Sequence, residues 1–161
     1  IMLCVDNLLS GFPCMVVVFG CVVCLLMIVL PKGLSVVLTI AYVAFILYET
    51  LMFRETGEAK TNFVLFSYAG KFLKEQSVRV GVINNIWLFI PLGTGLYRSF
   101  QKKWVLLIPF VMSVAIETTQ YITGLGIAEC DDVFGNTMGG WIGVLVAWMW
   151  LNRKMSLKNR T

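Results

Sequence analysis

The sequence predicts an all-α integral membrane bundle of five transmembrane helices, with a short interfacial helix between the second and third. Three observations carry this. Of 161 residues, 58% are hydrophobic and only 14% charged, with a mean hydropathy of +0.83, whereas soluble domains carry about a quarter of their residues as charge. Five apolar stretches, 11 to 30, 34 to 52, 80 to 97, 104 to 122 and 133 to 151, approach the roughly 20 residues that a helix needs to cross about 30 Å of hydrocarbon. The polar side chains inside the last three recur at three-four spacing, the period of a helix face. These stretches leave little chain for a second unit, so residues 1 to 161 form one membrane domain.

The first stretch follows Asp6 rather than basic residues, and Leu30-Pro31-Lys32 is no small-x-small cleavage site, so it is a retained span rather than a signal peptide. Cys4, Cys14, Cys21 and Cys24 lie in or beside it as small hydrophobes. The Cys21 to Cys24 spacing falls inside hydrocarbon, far from any redox fold. Cys130 is alone in a loop, so no disulfide framework is implied.

After the second stretch, residues 53 to 79 form the only long connection. Phe66, Ala69, Phe72 and Leu73 are close to helical spacing, flanked by Lys71 and Lys74, which predicts a short helix at the membrane surface within 63 to 74.

The third stretch places Gly81, Asn85, Leu88, Leu92 and Gly95 on one face, with Asn84 at its edge. The fourth aligns Pro109, Ser113, Glu117, Gln120 and Gly124. The fifth aligns Asp132, Asn136, Gly140, Gly143 and Ala147, opposite Trp141, Ile142, Leu145, Trp148 and Met149, which suit lipid. Gly139, Gly140 and Gly143 are expected to let helices approach closely.

Cations set the orientation. Lys32, Arg98, Lys102, Lys103, Arg153, Lys154, Lys158 and Arg160 gather on one side with no acid, while Asp6, Glu55, Glu58, Glu75, Glu129, Asp131 and Asp132 share the other with Arg54, Lys60, Lys71, Lys74 and Arg79. The C-terminus is therefore expected in the cytoplasm and the N-terminus outside. Measured from the ends of these stretches, Glu117 and Asn85 lie about 7 to 8 Å deep and Asn136 about 4 to 5 Å. One polar cluster in the outer half follows, capped by Arg54, Asp131 and Asp132. Membrane hydrogen bonds average only about 0.6 kcal/mol, against roughly 2.5 to 3.5 kcal/mol to insert a central acidic side chain, so packing alone is a weak reason to retain Glu117. For Gln120, Asn84 and Asn136 the packing and functional readings weigh equally.

Histidine is absent, which removes histidine triads, bases and metal ligands. The net charge of +4 reflects topology rather than nucleic-acid binding. Glu117, Asp131 and Asp132 could bind a divalent cation or act as acid and base. No metal-ligand spacing and no activated nucleophile accompanies them.

Asn85-Ile-Trp-Leu-Phe-Ile-Pro-Leu-Gly93, Ile116-Glu-Thr-Thr-Gln120 and Asp131-Asp-Val-Phe-Gly-Asn-Thr-Met-Gly-Gly140 with Gly143 resemble the VanZ-like family of bacterial multi-pass membrane proteins. Leu47-Tyr-Glu-Thr-Leu-Met-Phe-Arg54 and Thr61-Asn62-Phe-Val-Leu-Phe66 extend the resemblance, which covers roughly residues 36 to 150. Leu65 replaces a proline usual in that family, and its loop before the paired aspartates often carries a basic residue and a further acidic one where this chain has Gly126 and Glu129, so the basic partner is missing and Arg54 is left as the expected phosphate partner. The resemblance implies a bacterial plasma membrane, low-level glycopeptide resistance, chiefly to teicoplanin, and the site residues Arg54, Asn85, Glu117, Gln120, Asp131, Asp132 and Asn136.

The leading expectation is a non-enzymatic protein, without cofactor or metal, whose outward polar pocket binds a lipid-linked envelope precursor or the lipid tail of a lipoglycopeptide. The glycopeptide is then an indirect partner, and nucleic acid is none. A second reading is a membrane-embedded hydrolase or transferase acting on a lipid headgroup, with Glu117, Asp131 or Asp132 as base or Mg²⁺ ligand. A third is a small lipid transporter using Glu117 as a proton site, for which a homodimer would supply symmetry.

Overall fold

The computed structural model describes residues 14–52, 60–125 and 127–158. Its order is α1 (Cys14–Val29), α2 (Lys32–Leu51), β1 (Lys60–Asn62), α3 (Ala69–Phe72), α4 (Gln76–Phe100), a 3₁₀ turn (Lys103–Leu106), α5 (Ile108–Thr123), β2 (Ile127–Glu129) and α6 (Cys130–Lys158). The all-α expectation holds for the body of the chain. Three of these segments are long and apolar enough to cross a membrane: Lys32–Leu51, Gln76–Phe100 and Lys103–Thr123. Described α1 is apolar but has 16 residues. The 29-residue α6 is not among the three, and its first half carries Asp131, Asp132, Asn136, Thr137 and four glycines.

α4 is the central helix. From Phe89 to Leu96 nearly every side chain is buried whichever way it points, as expected of a helix surrounded by protein. Met27 of α1, Ile46 of α2, Val105 of the 3₁₀ turn, Ile116 of α5 and Val144 of α6 join Phe89 and Leu92 in one core cluster. Pro91 removes an N–H from the α4 ladder. The Trp87 carbonyl loses its ladder donor there, and the Tyr42 hydroxyl of α2 donates to the next carbonyl, that of Leu88, at 2.9 Å.

The most extensive helix contact is α4 against α6. A Cβ at Gly139 would collide with the Ile86 carbonyl, and one at Gly143 with the Ile90 carbonyl. The two glycines are one turn apart and so are the two carbonyls, so the backbones touch along a seam of small residues. Thr94 completes it, donating to the carbonyls of Ile90 at 3.0 Å and Gly143 at 3.2 Å. At the opposite end Arg98 caps α1, giving Nε to the Ile28 carbonyl and an NH₂ group to that of Leu30.

Two features differ from expectation. β1 and β2 form a parallel pair with Thr61 opposite Ala128 and Asn62 opposite Glu129. The surface helix is only Ala69–Phe72, because Phe66 takes a left-handed conformation with φ 60°, which interrupts any helix through 63 to 68.

Candidate functional site

Asn85, Asn136, Glu117 and Gln120 each find a partner on another element, but the partners differ. Asn85 of α4 donates from Nδ2 to an Asp132 oxygen of α6 at 2.6 Å. Asn136, one turn further along α6 and 4% exposed, donates to the Ser113 hydroxyl of α5 at 2.8 Å. Glu117, one turn beyond Ser113 and 7% exposed, accepts the backbone N–H of Glu129 at 2.9 Å. Gln120, fully buried, donates to the Thr50 carbonyl of α2 at 2.9 Å. The Oδ1 of Asn136 and Oε1 of Gln120 are buried acceptors without a partner among the described residues.

These bonds join the polar groups along the facing sides of α4, α5 and α6. α4 begins at Gln76 rather than 80, which puts Asn85 nine residues, about 14 Å, from its start. Glu117 and Asn136 each lie six residues, about 9 Å, from the near end of their helices. Asp131 does not cap the cluster. Its carboxylate accepts the N–H of Phe66, together with the N–H of Ser67 at 3.0 Å and the Ser67 hydroxyl at 2.8 Å. Three residues on, Phe134 meets the Phe66 ring edge-on at 5.3 Å. The start of α6 thus grips the 66–67 turn, and the positive end of the helix dipole supports both Asp131 and Asp132 there. Burial, followed by the Asp131 charge, raises the Tyr68 phenol above its usual pKa. Arg54 lies outside the described residues.

An apolar groove of about 890 Å³ lies between α5 and α6, at the upper end of the usual size for a ligand site. Phe110, Val114 and Tyr121 form one wall, Val133, Phe134 and Trp141 the other, and Phe63 and Leu65 close one end. Glu117 and Glu129 are the acidic residues among those lining it. Trp141, on the face assigned to lipid, is 46% exposed, lines the groove and donates to the Leu106 carbonyl at 2.9 Å. A smaller crevice of about 430 Å³ between α1, α2 and α4 takes in Glu49, Asn84 and Asn85.

Sequence reasoning missed Ser113 as a partner although it shares the three-four face of Glu117, and it missed Glu49 in the crevice. The Glu129 amide and the Thr50 carbonyl are backbone groups and left no signal. Glu117, Asp131 and Asp132 do not converge, and no group of three acidic or cysteine side chains suited to a metal occurs among the described residues.

The VanZ/LLP1 family profile matches residues 15–151. Over 123 residues the chain is 26% identical to Protein VanZ of Enterococcus faecium, covering 72% of each chain. No solved structure matches.

Proposed function

We propose, from the premise that this chain belongs to the VanZ/LLP1 family, that it is a bacterial plasma-membrane protein contributing to low-level resistance to glycopeptides such as teicoplanin. In this reading α1 and α6 complete a five-span bundle with its C-terminus in the cytoplasm. The α5–α6 groove takes the apolar part of an amphiphile, either a lipid-linked envelope precursor or the tail of a lipoglycopeptide, and lowers the amount of drug acting at the surface. The observation that carries the reading is an apolar groove of about 890 Å³ between α5 and α6, in a chain that is similar to Protein VanZ.

The test is drug susceptibility of a teicoplanin-sensitive bacterium expressing the protein. Val114→Trp fills the groove, whereas Leu145→Trp adds the same bulk to an exposed face of α6 outside it. The parent and Leu145→Trp are expected to protect equally, and Val114→Trp, at matched membrane abundance, to protect several-fold less. Equal protection by Val114→Trp would remove the groove from the mechanism. An unprotected parent would remove the resistance role.

A further inference from the structure

The crevice of about 430 Å³ between α1, α2 and α4 is lined by aromatic and polar side chains together. Phe19, Tyr42, Phe45 and Trp87 supply the rings, and Glu49, Thr50, Asn84 and Asn85 the polar groups. The Phe45 ring packs between those of Phe19 and Tyr42, with centroids 5.5 and 5.6 Å away. Trp87 is held in place by α1: its Nε1 donates to the Val16 carbonyl at 3.0 Å, and a Cβ at Gly20 would collide with its indole.

Several of the polar groups are committed within the bundle. The Tyr42 hydroxyl donates to the Leu88 carbonyl, the Thr50 hydroxyl to that of Ile46, and Asn85 gives Nδ2 to Asp132. Among the described residues, neither Glu49 nor Asn84 has a hydrogen-bond or ion-pair partner. Glu49 is the one charged residue among the described residues lining the crevice. A single carboxylate is offset by a monovalent cation, whereas an anion would meet like charge. The rings favour the same sign, because the face of an aromatic side chain attracts a cation. The Glu49 carboxylate and the Oδ1 atoms of Asn84 and Asn85 are acceptors, which a primary ammonium serves with three N–H donors and a quaternary ammonium with none.

Depth separates the charge from the apolar lining. Glu49 lies two residues, about 3 Å, from the end of α2, and Asn84 eight residues, about 12 Å, from the start of α4. Met15 and Phe19, both exposed on α1, open the crevice toward lipid. We infer that this crevice binds the primary ammonium end of an amphiphile, with the nitrogen at Glu49, Asn84 and Asn85 and the start of the chain against Phe19, Phe45 and Leu88. It is a second site, and it does not depend on what occupies the α5–α6 groove.

A ligand of the folded state raises the unfolding midpoint. The test is thermal unfolding of the full chain in dodecyl maltoside micelles with dodecylammonium, dodecyltrimethylammonium, dodecanol or ethylammonium added at equal concentration, each variant being referred to its own midpoint without additive. Glu49→Gln removes the charge from the crevice, and Glu75→Gln removes the same charge from an exposed residue outside it. Dodecylammonium is expected to raise the midpoints of the parent and of Glu75→Gln by several degrees more than that of Glu49→Gln. Equal shifts in the parent and Glu49→Gln would overturn the site. A Glu49-dependent shift as large with dodecyltrimethylammonium would overturn the primary ammonium, one as large with dodecanol the cation, and one as large with ethylammonium the amphiphile.

Discussion

Glu117 shows how far a single residue can be understood from the chain alone. An acidic side chain in an apolar helix is expensive enough to demand a partner, and the three-four pattern with Ser113 and Gln120 gave its face. Its partner is a backbone N–H twelve residues on, which no residue type advertises. Glu117→Gln retains an acceptor for that part-buried N–H, whereas Glu117→Leu removes it. In detergent unfolding, Glu117→Leu is expected to lose about 1 to 3 kcal/mol and Glu117→Gln less; equal losses would contradict this role for the bond. Asp131 was legible as acidic but not as a clamp, because Phe66 and Ser67 lie over sixty residues earlier. Asp131→Ala is expected to free the turn and speed tryptic cleavage after the exposed Lys71, with cleavage after Arg153 as the internal reference. Unchanged cleavage after Lys71 would show the turn is held by other contacts.

Among the elements, those whose stability comes from apolar length were legible and those fixed by tertiary contact were not. All five apolar stretches contain a helix, with ends shifted by a few residues; α6 begins at Cys130 because Asp131 and Asp132 suit a helix N-terminus. Three-residue strands are too short to show a period, so β1 and β2 were invisible. The 63 to 74 helix failed because Phe66 turns left-handed, while Ala69–Phe72 survives as one turn. The small-residue seam was anticipated at Gly139 and Gly143, but its facing residues, Ile86 and Ile90, needed coordinates. Gly139→Leu or Gly143→Leu is expected to force α4 and α6 apart and destabilise by about 1 to 3 kcal/mol or more. Gly81→Ala, where a Cβ meets nothing within 4 Å, is expected to be neutral or to stabilise by up to about 1 kcal/mol through helix propensity. Indistinguishable unfolding of the three variants would refute the seam as a close-packed contact.

For the whole molecule, membrane residence and helical class follow from the deficit of charge, but the groove does not. Val114, Phe110 and Trp141 look like lipid-facing residues in sequence, and only the placement of α5 beside α6 turns their faces toward a shared space. The charge asymmetry carries the proposed orientation, which predicts that Cys130 of intact cells is alkylated by a membrane-impermeant maleimide from outside. Labelling confined to permeabilised cells would reverse the facing of the groove. The central claim, that an amphiphile's chain lies between α5 and α6, is tested most directly by irradiating the reconstituted protein with an amphiphile bearing a diazirine in its alkyl chain and mapping the adducts. Adducts concentrated within 110–121 and 133–141, and displaced by the unlabelled amphiphile, are the predicted result. Adducts spread evenly over the exposed faces of α1 and α2, or undiminished by the competitor, would contradict it.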